Sequence, residues 1–177
     1  KLGVNYHWDH AFYNGHYYMY FGVVPVFLLF LPFRLLTGVT LAAYHATQIF
    51  AALFIIGWFK LFFFLGKKFF PAMSWTVCLA LTSAFSFMSL WYIAAAPALY
   101  CTAIASGLCM EVWSLFFFAK AVWSNSGERQ NVLYGILGSF FGALAFGCRP
   151  PIALANLLAI PMFLHYLKGK RCDFKLC

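Results

Sequence analysis

Between Val4 and Pro25 the chain crowds one carboxylate (Asp9), three histidines (His7, His10, His16) and the aromatic cluster Tyr13, Tyr17, Tyr18 and Tyr20. Three chemistries suit that set. A carboxylate at Asp9 can take the proton from an attacking hydroxyl, with His10, His16, Tyr17 and Tyr18 holding the substrate. A divalent cation is the one cofactor such a set could hold, on His7, Asp9, His10 and His16. Adjacent Asp9 and His10 are awkward ligands for one ion, however, and no established metal spacing is matched. The third reading is an aromatic belt, with Tyr and Trp rings at the level of lipid headgroups. Asn14-Gly15 tolerates positive φ at both positions, so it predicts a tight turn folding Ala11–Tyr13 back onto His16–Tyr18.

The elements that must position these groups are apolar almost throughout. Of 177 residues, 64% are apolar, 22% aromatic and 9% charged, and the mean hydropathy is +0.83. A soluble domain is about one quarter charged, and this chain's few charges cannot coat a 20.1 kDa globule. A cytosolic enzyme, a secreted disulfide scaffold and a disordered tail are excluded, leaving an all-α, polytopic transmembrane bundle. The net charge of +8 does not signal nucleic acid, because the basic residues are dispersed and flank apolar runs. Cys78, Cys101, Cys109 and Cys148 lie in or at the ends of apolar runs, and Cys172 and Cys177 in the basic tail. With no CxxC, they read as small buried hydrophobes. The chain opens on Lys1 rather than Met, with apolar sequence soon after, as an internal piece of a longer protein would.

A span needs about 20 apolar residues. Five segments qualify or nearly so: Thr40–Phe59 (running on toward Leu65), Ala72–Ile93, Ala98–Ala119, Val132–Cys148 and Ile152–Leu167. Phe21–Leu36 is shorter, carries Pro25, Pro32 and Arg34, and suits a juxtamembrane helix lying in the interface. The resulting order is an outer loop over 1–20, the juxtamembrane helix over 21–38, five spans over 39–167 and a basic cytoplasmic segment over 168–177. Lys60, Lys67, Lys68, Lys120, Arg129, Lys168, Lys170, Arg171 and Lys175 then face the cytoplasm, against Lys1, Arg34 and Arg149 outside. That asymmetry obeys the positive-inside rule and inverts if 21–36 crosses. Pro71 predicts the first turn of the second span, and the hydrophilic loop Ser124–Asn131 supplies caps for the next helix. His45 and Gln48, one helical step apart, are expected to point into the bundle. Glu111 falls mid-span, where it must be protonated, paired across helices or part of a proton or ion path.

The stretch Trp8-Asp9-His10-Ala11-Phe12-Tyr13-Asn14-Gly15-His16-Tyr17-Tyr18, then Tyr20-Phe21-Gly22-Val23-Val24-Pro25 and Leu31-Pro32-Phe33-Arg34-Leu35-Leu36-Thr37-Gly38, resembles the end of the first outer loop of C-type (GT-C) membrane glycosyltransferases. The nearest in style are the protein O-mannosyltransferase-like and aminoarabinose transferase-like members. The Arg149-Pro150-Pro151 turn after a Gly-rich helix fits the same pattern. In the family an acidic residue or pair lies early in that loop, in a part this sequence does not include. Asp9 would thus be the base or a second, supporting carboxylate.

The resemblance implies transfer of a sugar from a polyprenyl-phosphate-linked donor to an acceptor hydroxyl on the outer face of a bacterial cell membrane. Arg149 would steady the leaving phosphate, since guanidinium is always charged and binds phosphate bidentately, although it equally suits snorkelling or capping the C-terminus of the preceding helix. Arg34 is a second such candidate, although it also suits anchoring of the juxtamembrane helix to headgroups. The partners implied are the lipid-linked sugar donor and membrane lipids, with no nucleic acid. The isolated chain is expected to be inactive, because part of the site precedes it. A transporter or flippase, or a non-catalytic membrane subunit, are the alternatives.

Overall fold

The computed structural model describes residues 11–18, 22–95 and 99–174, which leaves Asp9, His10 and His7 outside the described residues. Asn14 and Gly15, at φ 49° and 79°, form the turn of a hairpin between β1 (Ala11–Tyr13) and β2 (His16–Tyr18). The strands pair antiparallel with Ala11 opposite Tyr18, Phe12 opposite Tyr17 and Tyr13 opposite His16, as the Asn-Gly dipeptide predicts.

From Gly22 a short rod follows: α1 (Val23–Pro25), a π-turn over Val26–Phe30, and α2 (Leu31–Thr37). The Leu31 amide bonds Val26 O five residues back. Pro32 has no amide to give, and its ring crowds the carbonyl four residues before it, so the wider π-turn falls where a tight α-turn fits worst. Left-handed glycines bracket the rod at Gly22 and Gly38, the latter giving its amide to Arg34 O. Along the rod Leu35 and Leu36 are 77% and 87% exposed. An apolar helix without protein cover is what a lipid interface accommodates.

Among the described residues four helices are long and apolar enough to cross a membrane: α3 (Ala43–Phe69), α4 (Trp75–Ala95), α5 (Leu99–Trp123) and α6 (Glu128–Cys148). The fifth expected span is helical but segmented. Arg149 lies in extended backbone, as the residue before a proline must, so α6 stops and Pro150 starts α7 (Pro150–Ala153). A 3-10 turn over Leu154–Leu158 then leads into α8 (Ala159–Phe174), and the apolar part of this segment, Pro150–Leu164, is shorter than a full span.

Pairing of side chains fixes the order of ends. Thr47 and Thr102 share a 2.8 Å hydrogen bond at the start of α3 and α5, while Phe69 meets Trp123 edge-on where both finish. These helices run parallel and pack directly on each other, and α4 returns the chain from the end of α3 to the start of α5. Gly107 on α5 faces Cys148 on α6, and Phe118 on α5 faces Gly138 on α6, so α6 runs antiparallel; Phe118 also meets Phe163, so α8 runs parallel to α5. Helix α5 is the centre: 67% of its apolar stretch is inside the protein, against 28%, 28% and 22% for α3, α4 and α6.

Gly22, four residues after the hairpin, bonds Cys148 O through its amide and therefore shares one end of the bundle with the starts of α3 and α5 and the end of α6. The other end carries Lys67 against Phe63, Lys120 between Phe116 and Tyr134, and Arg129. Cysteines at 13 and 126, in a chain whose Cys172 and Cys177 are serine, should react with a membrane-impermeant maleimide from opposite sides. Labelling of both from one side contradicts this arrangement.

Two local expectations need correction, at Pro71 and at His45 and Gln48. Pro71 lies in a turn before α4 rather than in its first turn; Ser74 starts the helix, its Oγ accepting the Val77 amide at 3.3 Å, because a hydroxyl satisfies an orphan amide that proline cannot reach. Helix α6 is capped from within Ser124–Asn131, as expected: Gly127 is its cap and the Gly127 carbonyl takes the Gln130 and Asn131 amides, with no side-chain cap. The nearby hydroxyls of Ser124 and Ser126 bond each other instead, at 2.6 Å. His45 and Gln48 are exposed, and Ala46, Thr47 and Phe50 face inward, since the Thr47–Thr102 bond sets the rotation of α3. Cys78, Cys101, Cys109 and Cys148 are buried and form no disulfide among the described residues, in keeping with their reading as small hydrophobes.

Candidate functional site

In an antiparallel pair, directly opposed residues share a face and successive residues alternate. Tyr13, His16 and Tyr18 thus occupy one face of the hairpin and Phe12 and Tyr17 the other. The rings agree: His16 and Tyr18 lie 6.5 Å apart, and Phe12 and Tyr17 are 5.0 Å apart. All are exposed. The structure therefore groups two of the three described hairpin candidates and turns Tyr17 away from them.

The chain enters the bundle immediately after the hairpin. The Gly22 amide donates to Cys148 O at 3.1 Å. Gly22 is buried, and a Cβ there would stand 3.2 Å from Ala103 Cβ. On the next turn a Cβ at Gly147 would come within 2.5 Å of Val24 Cγ2. Missing side chains at Gly22 and Gly147 are what let α1 lie in the groove between α5 and α6. Arg149 is the residue after Cys148, and its Cβ lies 3.7 Å from where a Gly107 Cβ would be. Its own carbonyl accepts the Ile152 amide at 3.0 Å. Half-buried, with no hydrogen bond or ion pair to its guanidinium among the described residues, Arg149 holds an uncommitted positive charge at the hairpin end.

Arg34 stands apart from it. It is exposed on α2, three turns along a rod that touches the bundle through its first residues. Of the sequence-derived candidates, the hairpin residues and Arg149 thus belong to one end of the protein, joined through the Gly22–Cys148 bond, and Arg34 does not join them. Among the described residues no group of three or more His, Cys, Asp or Glu could hold a metal.

A cavity of about 660 Å³ opens between α3, α4, α5 and α8. Lined by Trp58, Leu65, Phe69, Met73, Trp123 and Met162 among others, it lies toward the lysine-bearing end and suits hydrocarbon. Sequence reasoning also missed a polar contact between helices. Ser114 Oγ lies 2.8 Å from Gly138 O and 2.9 Å from Asn156 Oδ1, with Asn156 Nδ2 3.5 Å from Gly142 O. The legible signal was Asn156 itself, an amide within an apolar run.

No protein-family profile matches this chain, and neither curated proteins nor solved structures yield a match.

Proposed function

We propose that the chain is part of an integral membrane glycosyltransferase that moves a sugar from a polyprenyl-phosphate-linked donor to an acceptor hydroxyl on the extracytoplasmic face. What supports the reading most is the 3.1 Å bond from Gly22 to Cys148 O. It ties the polar, aromatic leader to the turn that presents Arg149. Transfer of this kind requires a carboxylate to accept the hydroxyl proton and a cation to take up charge growing on the leaving phosphate. Asp9, one residue outside the hairpin's nearest neighbour His10, is the candidate for the first role and Arg149 for the second. Tyr13, His16 and Tyr18 offer a face on which a sugar ring could stack and hydrogen-bond.

The hairpin end is then extracytoplasmic, and the lysine-bearing end cytoplasmic, in line with the charge bias. The test is transfer in membranes holding the full-length protein, with an isotopically labelled polyprenyl-phosphate sugar. Asp9→Asn should lower the rate by about 10²–10⁴-fold, the usual contribution of a positioned base, without changing the amount of protein in the membrane. An undiminished rate removes Asp9 from the mechanism. One observation favours a second reading, a transporter: Glu111, buried mid-span without a partner among the described residues. Substrate flux that depends on Glu111 and not on Asp9 would favour it.

A further inference from the structure

Glu111 is 5% exposed, and neither carboxylate oxygen has a hydrogen-bond partner among the described residues. It stands one turn past Gly107, which faces Ile152 and Cys148, and one turn before Ser114, which bonds Gly138 and Asn156. Helical spacing puts all three on one face of α5, turned toward α6 and the 3-10 segment Leu154–Leu158. An ionised carboxylate in an apolar bundle costs several kcal/mol unless it is protonated or paired.

The neighbouring cluster gathers oxygen: Ser114 Oγ stands 2.8 Å from Gly138 O and 2.9 Å from the Asn156 side-chain amide. Neither α7 nor the 3-10 segment contributes a charge: residues 150–158 contain no ionisable side chain. The ionisable residues that α6 presents to α5 are Cys148 and Arg149 over Gly107, toward the hairpin end, and Tyr134 beside Lys120, toward the other. Side-chain oxygens on α5 and on a broken helical segment, one turn from a mid-membrane carboxyl, suit a small, hard cation.

We infer that Glu111, Ser114 and Asn156 form an intramembrane site for Na+, which enters as the Glu111 carboxyl releases its proton to water. Charge is conserved in the exchange: one Na+ enters for each proton lost. The inference does not depend on the glycosyltransferase reading.

Dicyclohexylcarbodiimide, which modifies protonated carboxyls in apolar surroundings, reports the occupancy directly. Purified protein in liposomes would be treated at fixed pH with NaCl or choline chloride, and the modified residue located by mass spectrometry. Modification is expected at Glu111, slowed about tenfold when Na+ is near ten times its dissociation constant and unaffected by choline. Glu111→Gln should abolish it. Ser114→Ala and Asn156→Ala should keep the modification but need several-fold more Na+ for the same protection, which preserves the test if Glu111→Gln fails to fold. Modification at Glu111 that Na+ does not slow, no modification there, or protection unchanged in both oxygen-ligand variants would overturn the site. Sugar transfer is not read at any step, so the two proposals fail separately.

Discussion

Arg149→Ala in membranes holding the full-length protein should lower sugar transfer by about 10²–10³-fold, the loss seen when one group stabilising developing negative charge is removed. The side chain is suited to a large effect because nothing among the described residues engages it. Its backbone, not its guanidinium, closes the turn, through Arg149 N to Ala145 O and Ile152 N to Arg149 O. Truncation should therefore leave the α6–α7 junction standing, and Arg149→Ala protein should accumulate and fold as the parent does. Arg149→Lys should recover part of the rate only, since an ammonium keeps the charge but not the planar, two-pronged donor geometry. Arg34→Ala is the informative companion. Exposed on the rod away from the Gly22–Cys148 junction, Arg34 should affect membrane seating more than turnover. Equal losses for both arginines, or none for Arg149, would remove the phosphate role from Arg149.

The second large effect is structural. Gly57→Val should destabilise the bundle by about 1–3 kcal/mol, read as a fall of several degrees in thermal unfolding of the detergent-purified protein. At Gly57 a Cβ would stand 2.8 Å from Val112 Cγ1 and 2.9 Å from Trp113 Nε1. The indole cannot simply step aside, because Trp113 Nε1 donates to Leu53 O at 3.2 Å and its ring packs against Phe116, Phe117 and Phe141. Either α3 moves away from α5 or that aromatic cluster is rebuilt. Gly135→Ala is the control: a Cβ there meets nothing within 4 Å, so the substitution should be neutral or slightly stabilising through helix propensity. A loss at 135 as large as that at 57 would show that helix flexibility, not close approach, governs these glycines.

Those two glycines mark how far the sequence reaches. Both sit in apolar helices, and no local pattern separates the one wedged against Trp113 from the one in open space. The same holds along α3, where His45 and Gln48 look suited to the interior yet lie outside. In water an amphipathic stripe declares which side of a helix is buried. In a lipid-facing bundle, core and surroundings are both apolar, so the stripe is lost. Rotation is then set by small residues that allow close approach and by scattered hydrogen bonds such as Thr47 to Thr102.

Sequence alone did determine the all-helical, membrane-spanning class, since hydrocarbon-length apolar runs with few charges permit little else. It also determined the Asn14-Gly15 hairpin, the break at Arg149-Pro150 and a short helical segment before the first long helix, because each follows from backbone rules acting over a few residues. Tertiary structure decided that Tyr17 turns away from His16 and Tyr18, that Gly22 is bonded to Cys148 next to Arg149, and that Glu111 has no hydrogen-bond partner among the described residues. Those outcomes depend on which residues, distant in the chain, meet across helices, and local residue types do not encode that meeting.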